Sequence, residues 1–199
     1  TTVIGRFLAE KLQLDEHQIQ KVYFAGMVHD IGKMGIPSEI LEFPGRFSFE
    51  QMEIMKKHVE YTEELLSGVF PEDIVRIAVR HHEKLNGSGY PHRLKAEDLS
   101  IEDRILAVAD IFSALIGKRS YKDAYDFQKA MRILSEMVKY GYIDGSIVQT
   151  LKDNQAELKI LLIAARNKVM VMYESIQQEY HVKISAHDLN FGSEQHYYK

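Results

Sequence analysis

Apolar residues recur every three or four positions along most of this chain, and hardly anywhere every second position. That period puts one apolar stripe on each segment as a helix and leaves no segment a clean sheet face, so the spacing predicts an all-α fold. A first helix is under way at residue 1 and ends near Leu8, Leu12 and Leu14. Asp15 with Gln18 forms a capping box for a second, with Ile19, Val22, Tyr23, Met27 and Ile31 as its apolar side and Gly32, Gly35 and Pro37 as its stop. Ser48 with Gln51 opens a helix through Ile54, Met55, Val59, Leu65 and Leu66. Pro71 opens another with Ile74, Val75, Ala78 and Val79 inside. Lys84 to Pro91 reads as an irregular loop. Ser100 with Asp103 caps a strongly apolar helix from Ile101 to Ile116, and helices follow over 126–140, 145–152 and about 155–180. From Val182 onward no period holds; Val182 and Ile184 alternate, enough for one short strand. One helical domain over 1–154, with a C-terminal helix and tail over 155–199, accounts for the pattern.

The 199 residues contain no cysteine, which excludes disulfides, thiolate metal sites and cysteine nucleophiles and fits a reducing cytoplasm. No apolar run reaches a membrane span, and TTVIGRFLAEKL lacks the layout of a signal peptide. A net charge of −4 argues against a long groove for polymeric nucleic acid, while a few focused cations can still hold a small anion. Nine histidines are the unusual count, six of them between Asp15 and Arg93. Any metal here would be held by nitrogen and oxygen.

Four segments can carry chemistry. In His29-Asp30-Ile31-Gly32-Lys33, adjacent imidazole and carboxylate can serve neighbouring ions, and Lys33 shares their helical face; a polar helix end before a turn is the alternative. His58 follows Ile54 and Met55 on an apolar face, as a ligand or as a satisfied core histidine. His81-His82 precede the Gly-rich EKLNGSGYP, as a ligand pair or as a favourable helix terminus. Asp110 lies within ILAVADIFSAL with no basic residue one turn away, so a metal is its simplest partner and a distant Lys or Arg the alternative. Together the six offer enough ligands for a two-metal site with open positions, which suits phosphoester hydrolysis.

HDIGK, His58, HHEKLNGSGYP and Asp110, in this order and with His58 29 positions after His29, resemble the HD-GYP subgroup of the HD metal-dependent phosphohydrolases over residues 1 to 154. The resemblance implies a helical HD-domain bundle, two transition-metal ions (iron or manganese) and bacterial cyclic di-GMP phosphodiesterase activity yielding pGpG and on to GMP. It implies that His29, Asp30 and Asp110 bind one ion, and that Asp30 bridges to a second held by His58, His81 and His82. Lys33 would meet the scissile phosphate. Gly89, Tyr90 and Pro91 would form the loop beside the substrate, which in the family also contacts diguanylate cyclase (GGDEF) domains. RSYKDAY resembles the family's basic stretch, making Arg119 and Lys122 the phosphate contacts. An upstream sensor or receiver domain, a cytoplasmic location and a homodimer are compatible with it. Three departures stand out. A further first-helix ligand would fall before Thr1; residues 1 to 9 hold no His, Asp or Glu, and the uncapped start suggests excision from a longer protein. Arg93 occupies a position where the family often has Gly, a backbone site of positive φ. Lys118 and Ser120 replace a common acidic residue and proline. Two other functions compete: a catalytically impaired module that binds cyclic di-GMP or a cyclase partner, and an HD phosphohydrolase for another nucleotide.

Overall fold

A computed structural model of the protein describes residues 1–117 and 126–180. Its helices are α1 (Thr2–Lys11), α2 (Glu16–Val28), α3 (Ser38–Leu41), α4 (Phe49–Leu66), α5 (Glu72–Val79), α6 (Ile101–Ile116), α7 (Phe127–Lys139), α8 (Gly145–Asp153) and α9 (Gln155–Tyr180), with 3-10 turns at Ile31–Gly35 and Ala96–Asp98. No strand occurs among the described residues, as the period requires; Val182 and Ile184 lie outside them.

Local chemistry sets the starts of the three long helices that carry the site. Asp15 accepts from the Gln18 amide at 2.8 Å, Ser48 from Gln51 at 3.2 Å and Ser100 from Asp103 at 3.3 Å, each with the reciprocal bond back to the cap. Such a cap stabilises a helix by about 1 kcal/mol. Helix α6 is the central element: Ile105, Leu106, Val108, Ala109 and Phe112 are fully buried. One side of it faces a core built with Phe7 and Leu8 of α1, Leu134 of α7, Ile147 and Leu151 of α8 and Leu158 of α9. Its other side, through Leu106, joins Val59, Leu66, Ile77 and Ala78 of α4 and α5. A third, smaller cluster of Ile36 and Met55 lies under the segment after the first 3-10 turn.

Helix α2 departs from the expected stripe. Met27 is 57% exposed and Ile31 37%, while Ala25 and Gly26 are buried with Ile19 and Val22. The cause is close packing of α1: a Cβ on Gly26 would stand 3.1 Å from the Thr2 Cα, so the contact face takes small residues and the large ones turn outward. Ile54 and Leu65 of α4 are likewise exposed. From Leu158 to Ile176, α9 runs largely exposed, and among the described residues no helix is long and apolar enough to cross a membrane.

Candidate metal centre

Four elements end or pass at one point. His29 is the residue that closes α2, and Asp30 opens the following 3-10 turn. His58 lies within α4, His81 and His82 follow the end of α5, and Asp110 lies within α6. All four histidines and Asp110 are buried. The six residues singled out from the sequence thus come together, although they are spread over 82 positions of chain. Around them the rings of His81 and His82 are 3.9 Å apart by centroid, those of His29 and His81 4.9 Å, and those of His58 and His82 5.2 Å.

Hydrogen bonds settle which ring nitrogen faces the centre. The Nδ1 atoms of His29, His58 and His81 contact the carbonyls of Gly26, Met55 and Ala78 at 3.0, 2.6 and 2.6 Å. A carbonyl only accepts, so each Nδ1 carries a proton and donates; at His58 and His81, held neutral, Nε2 presents a lone pair inward, and at His29 it does so once its second proton, shared with Asp30 and Asp110, has left. There it meets other acceptors. His58 Nε2 is 3.5 Å and His81 Nε2 3.7 Å from Asp30 Oδ1, while His29 Nε2 is 3.2 Å from Asp30 Oδ2 and 3.3 Å from Asp110 Oδ1. Buried Asp30 Oδ1 and His81 Nε2 find no hydrogen-bond partner among the described residues. The lone pairs of His58 and His81 Nε2 converge on that of Asp30 Oδ1, and in a buried site they repel unless a cation lies among them. Neutral imidazoles and carboxylates are the donor set of first-row divalent ions. The donor atoms of His58, His81 and His82 lie within 4.8 Å of one another, as do those of His29, Asp30 and His81, so the cluster is of a metal-binding kind.

Electrostatics follow the same geometry. Burial works against a charge on His29, but the Asp30 charge and hydrogen bonds to Asp110 and Asp30 outweigh it and raise its pKa to about 10. Burial dominates at the other three: His58 is pushed down to about 4, His81 to about 3 with help from the His29 charge, and His82 well below its ordinary value. Asp30 and Asp110 sit below the usual carboxylate range; burial opposes this, and His29 with Lys33 at Asp30, and His29 at Asp110, prevail. Lys33 Nζ is 2.8 Å from Asp30 Oδ2.

The Gly89-Tyr90-Pro91 loop covers the cluster from one side. Tyr90 stacks on His82 at 4.8 Å, and its N–H donates to the His82 carbonyl at 3.3 Å. A Cβ on Gly89 would fall 2.4 Å from the Lys84 nitrogen, so only glycine lets the loop lie this close. Beyond the loop, a cleft of about 710 Å³ is lined by Lys56, Lys57, Lys84 and Arg93 among others. Arg93 has φ +56°, the left-handed backbone expected at that position. Arg119 and Lys122 lie outside the described residues, with Lys118 and Ser120.

Sequence reasoning missed several supports. Among the described residues Asp110 meets His29, with Nε2 3.3 Å from its Oδ1, and it accepts from Thr1 Oγ1 at 3.1 Å. Buried Glu83 accepts from the backbone N–H of His92 at 2.6 Å and of Leu94 at 3.0 Å, holding the segment that follows the loop. Buried Thr62 bonds the turn after His29. No spacing rule marks Glu83 or Thr62, because their partners are main-chain groups.

The HD domain profile matches residues 2–147. The chain is 40% identical over 134 residues to the cyclic di-GMP phosphodiesterase response regulator RpfG of Xanthomonas campestris pv. campestris, covering 66% of this chain and 35% of that protein. It is 44% identical over 121 residues to the 3'3'-cGAMP-specific phosphodiesterase 2 of Vibrio cholerae, covering 59% and 23%. A cyclic di-GMP phosphodiesterase of Thermotoga maritima is 38% identical over 133 residues, covering 65% and 36%. The chain therefore spans little more than a third, or less, of the length of these relatives. In fold it is similar to the HDGYP protein Bd1817 of Bdellovibrio bacteriovorus, with a TM-score of 0.64 and 21% identity over 78% of this chain and 51% of that one. With HDIGK, the second histidine, HHEKLNGSGYP and the helical aspartate gathered at one buried centre, the chain belongs to the HD domain family, in its HD-GYP subgroup.

Proposed function

We propose that this chain is the catalytic domain of a metal-dependent phosphodiesterase acting on cyclic dinucleotides, with cyclic di-GMP opened to pGpG and cleaved on to GMP. The observation that carries this reading is the placement of Asp30: its Oδ2 faces His29 and Lys33, its Oδ1 faces His58 and His81. A carboxylate with a different ligand set at each oxygen is built to bridge two ions. His29, Asp30 and Asp110 would hold one ion; Asp30, His58, His81 and His82 would hold the other, iron or manganese in both. When bound, such ions acidify a water and polarise the phosphate. Lys33 places an ammonium beside Asp30, where it stabilises negative charge building on the phosphoryl oxygens. The Tyr90 ring on His82 and the buried walls exclude bulk water from one side of the cluster. Gly89, Tyr90 and Pro91 would border the substrate and offer a docking loop for diguanylate cyclase domains, and Arg119 and Lys122 would hold the second phosphate. We place the hydrolase at 1–154, with the helix and tail of 155–199 appended and a sensor or receiver domain upstream in the cytoplasmic whole protein. The resemblance to a 3'3'-cGAMP-specific enzyme supports a second reading, with that hybrid dinucleotide as substrate.

The test is metal analysis of anaerobically purified protein, then turnover of cyclic di-GMP, 3'3'-cGAMP and a mononucleotide. About two ions per chain and preferential cyclic dinucleotide cleavage are expected, and Asp30→Ala should empty both sites where His58→Ala empties mainly one. A chain that binds ions and cyclic di-GMP without turnover would be a binding module instead. Full metal content in Asp30→Ala would refute the bridge.

A further inference from the structure

The two halves of the ligand cluster ride on different elements, and one side chain ties those elements together. Thr62 is fully buried in α4, one helical turn after His58 and on the same face. Its Oγ1 donates to the carbonyl of His29 at 3.1 Å and accepts from the N–H of Gly32 at 3.0 Å. Both partners are groups that a helix end leaves open, here where α2 gives way to the 3-10 turn. A single hydroxyl therefore closes the turn bearing His29 and Asp30 onto the helix bearing His58. The fit has no slack, since a Cβ on Gly32 would meet the His58 carbonyl at 2.0 Å and the Thr62 nitrogen at 2.4 Å.

We infer that the Thr62 hydroxyl is a positioning group that fixes the spacing between the His29–Asp30 half and the His58–His81–His82 half of the cluster. The inference rests on the metal reading above. Serine can make both bonds. Valine keeps the shape but leaves the Gly32 N–H and the His29 carbonyl without this partner, so the turn is free to drift from α4. Drift at this point changes the gap spanned by Asp30, and residues that orient metal ligands typically change affinity by about 10–100-fold.

The experiment uses the full 199-residue chain, depleted of metal and titrated with Mn²⁺ against a competing chelator, with the melting temperature recorded in parallel. Wild type should bind two ions. Thr62→Val should bind at least one of them about 10–100-fold more weakly, with an altered ratio of the two stepwise affinities, and Thr62→Ser should restore both. If the Val variant does not fold, Thr62→Ala removes the same hydroxyl and is read the same way. A structural role alone would lower the melting temperature and leave the affinities of the folded chain unchanged. Folded Val or Ala variants that bind both ions as wild type does, or a Ser variant as weak as Val, would overturn the inference while sparing the metal reading. Wild type that binds neither Mn²⁺ nor Fe²⁺ would overturn both.

Discussion

Replacing Gly32 by alanine probes the closest backbone contact in the site. The added Cβ would lie 2.0 Å from the His58 carbonyl oxygen, 2.4 Å from the Thr62 nitrogen and 2.7 Å from Thr62 Oγ1. Carbon–oxygen contacts run at about 3.3–3.6 Å, so α4 must retreat by about 1 Å. Two of the three obstacles are main chain and cannot rotate aside. Overpacking typically costs about 1–3 kcal/mol, and this case belongs at the upper end. For a domain of this size that lowers the melting temperature by roughly 10 °C. The same retreat widens the 3.5 Å gap between His58 and Asp30, so Mn²⁺ affinity should fall as well. Gly35→Ala in the same turn is the control, because its Cβ would meet the Tyr61 ring at 2.7 Å, and a ring can tilt. Its steric cost is partly offset by the roughly 0.5–1 kcal/mol that alanine recovers over glycine in backbone entropy. Thermal melts and Mn²⁺ titrations of both variants decide the matter. A Gly32→Ala protein melting within about 2 °C of wild type, or a Gly35→Ala protein equally damaged, would refute the argument.

Lys33→Ala should keep its ions and lose roughly 10²–10³-fold in turnover, as when one charge-stabilising donor is removed; unchanged turnover with full metal content would make Lys33 a helix-end charge only. In the metal-free chain, His58 and His81 are held at about 4 and about 3 by burial, so below their ordinary 6.5 the unfolded chain takes up protons the folded one refuses. His29, raised to about 10, acts the other way, its contribution complete below 6.5 and lost as pH rises towards 10. Urea unfolding after EDTA treatment should therefore show stability falling from pH 6.5 to 5, and falling more gently from pH 6.5 to 8.5; a gain on acidification would contradict these assignments. Arg93→Gly should raise the melting temperature by about 2 °C, because left-handed backbone costs a non-glycine residue about 1–2 kcal/mol, of which glycine's own entropy returns part; a lower value would mean the Arg93 side chain makes a compensating contact.

Much of the fold was legible because its signals are local. The three capping boxes at Asp15, Ser48 and Ser100 lie where the spacing placed them, and Pro71 precedes α5. The outward turn of Met27 was not, because it follows from how near α1 comes to Gly26, a tertiary fact. Helix α3 was not either, since four residues are too few for a period. In the site, His29, Asp30, His58, His81, His82 and Asp110 were readable as residue types in a motif order, and they converge. Their supports, Thr62 and Glu83, were not, because a hydroxyl or carboxylate that bonds main chain leaves no pattern in side-chain identity. That Asp110 meets His29 required the helices to be packed first.

For His29, His58 and His81, the carbonyl that receives the Nδ1 proton belongs to the residue three positions earlier in the same segment: Gly26, Met55 and Ala78 in turn. The choice of tautomer is thus made within a single turn of each helix, before any long-range contact forms. Tertiary structure need only bring ready-made electron pairs together; it does not have to prepare them. The vulnerability is equally local. Fraying the last turn of α2 or of α5 would let an imidazole exchange its tautomer and withdraw its lone pair, even with the fold otherwise intact. Substitutions at Gly26, Met55 or Ala78, none of which offers a side chain to a metal, can then reach the chemistry through the pitch of a helix.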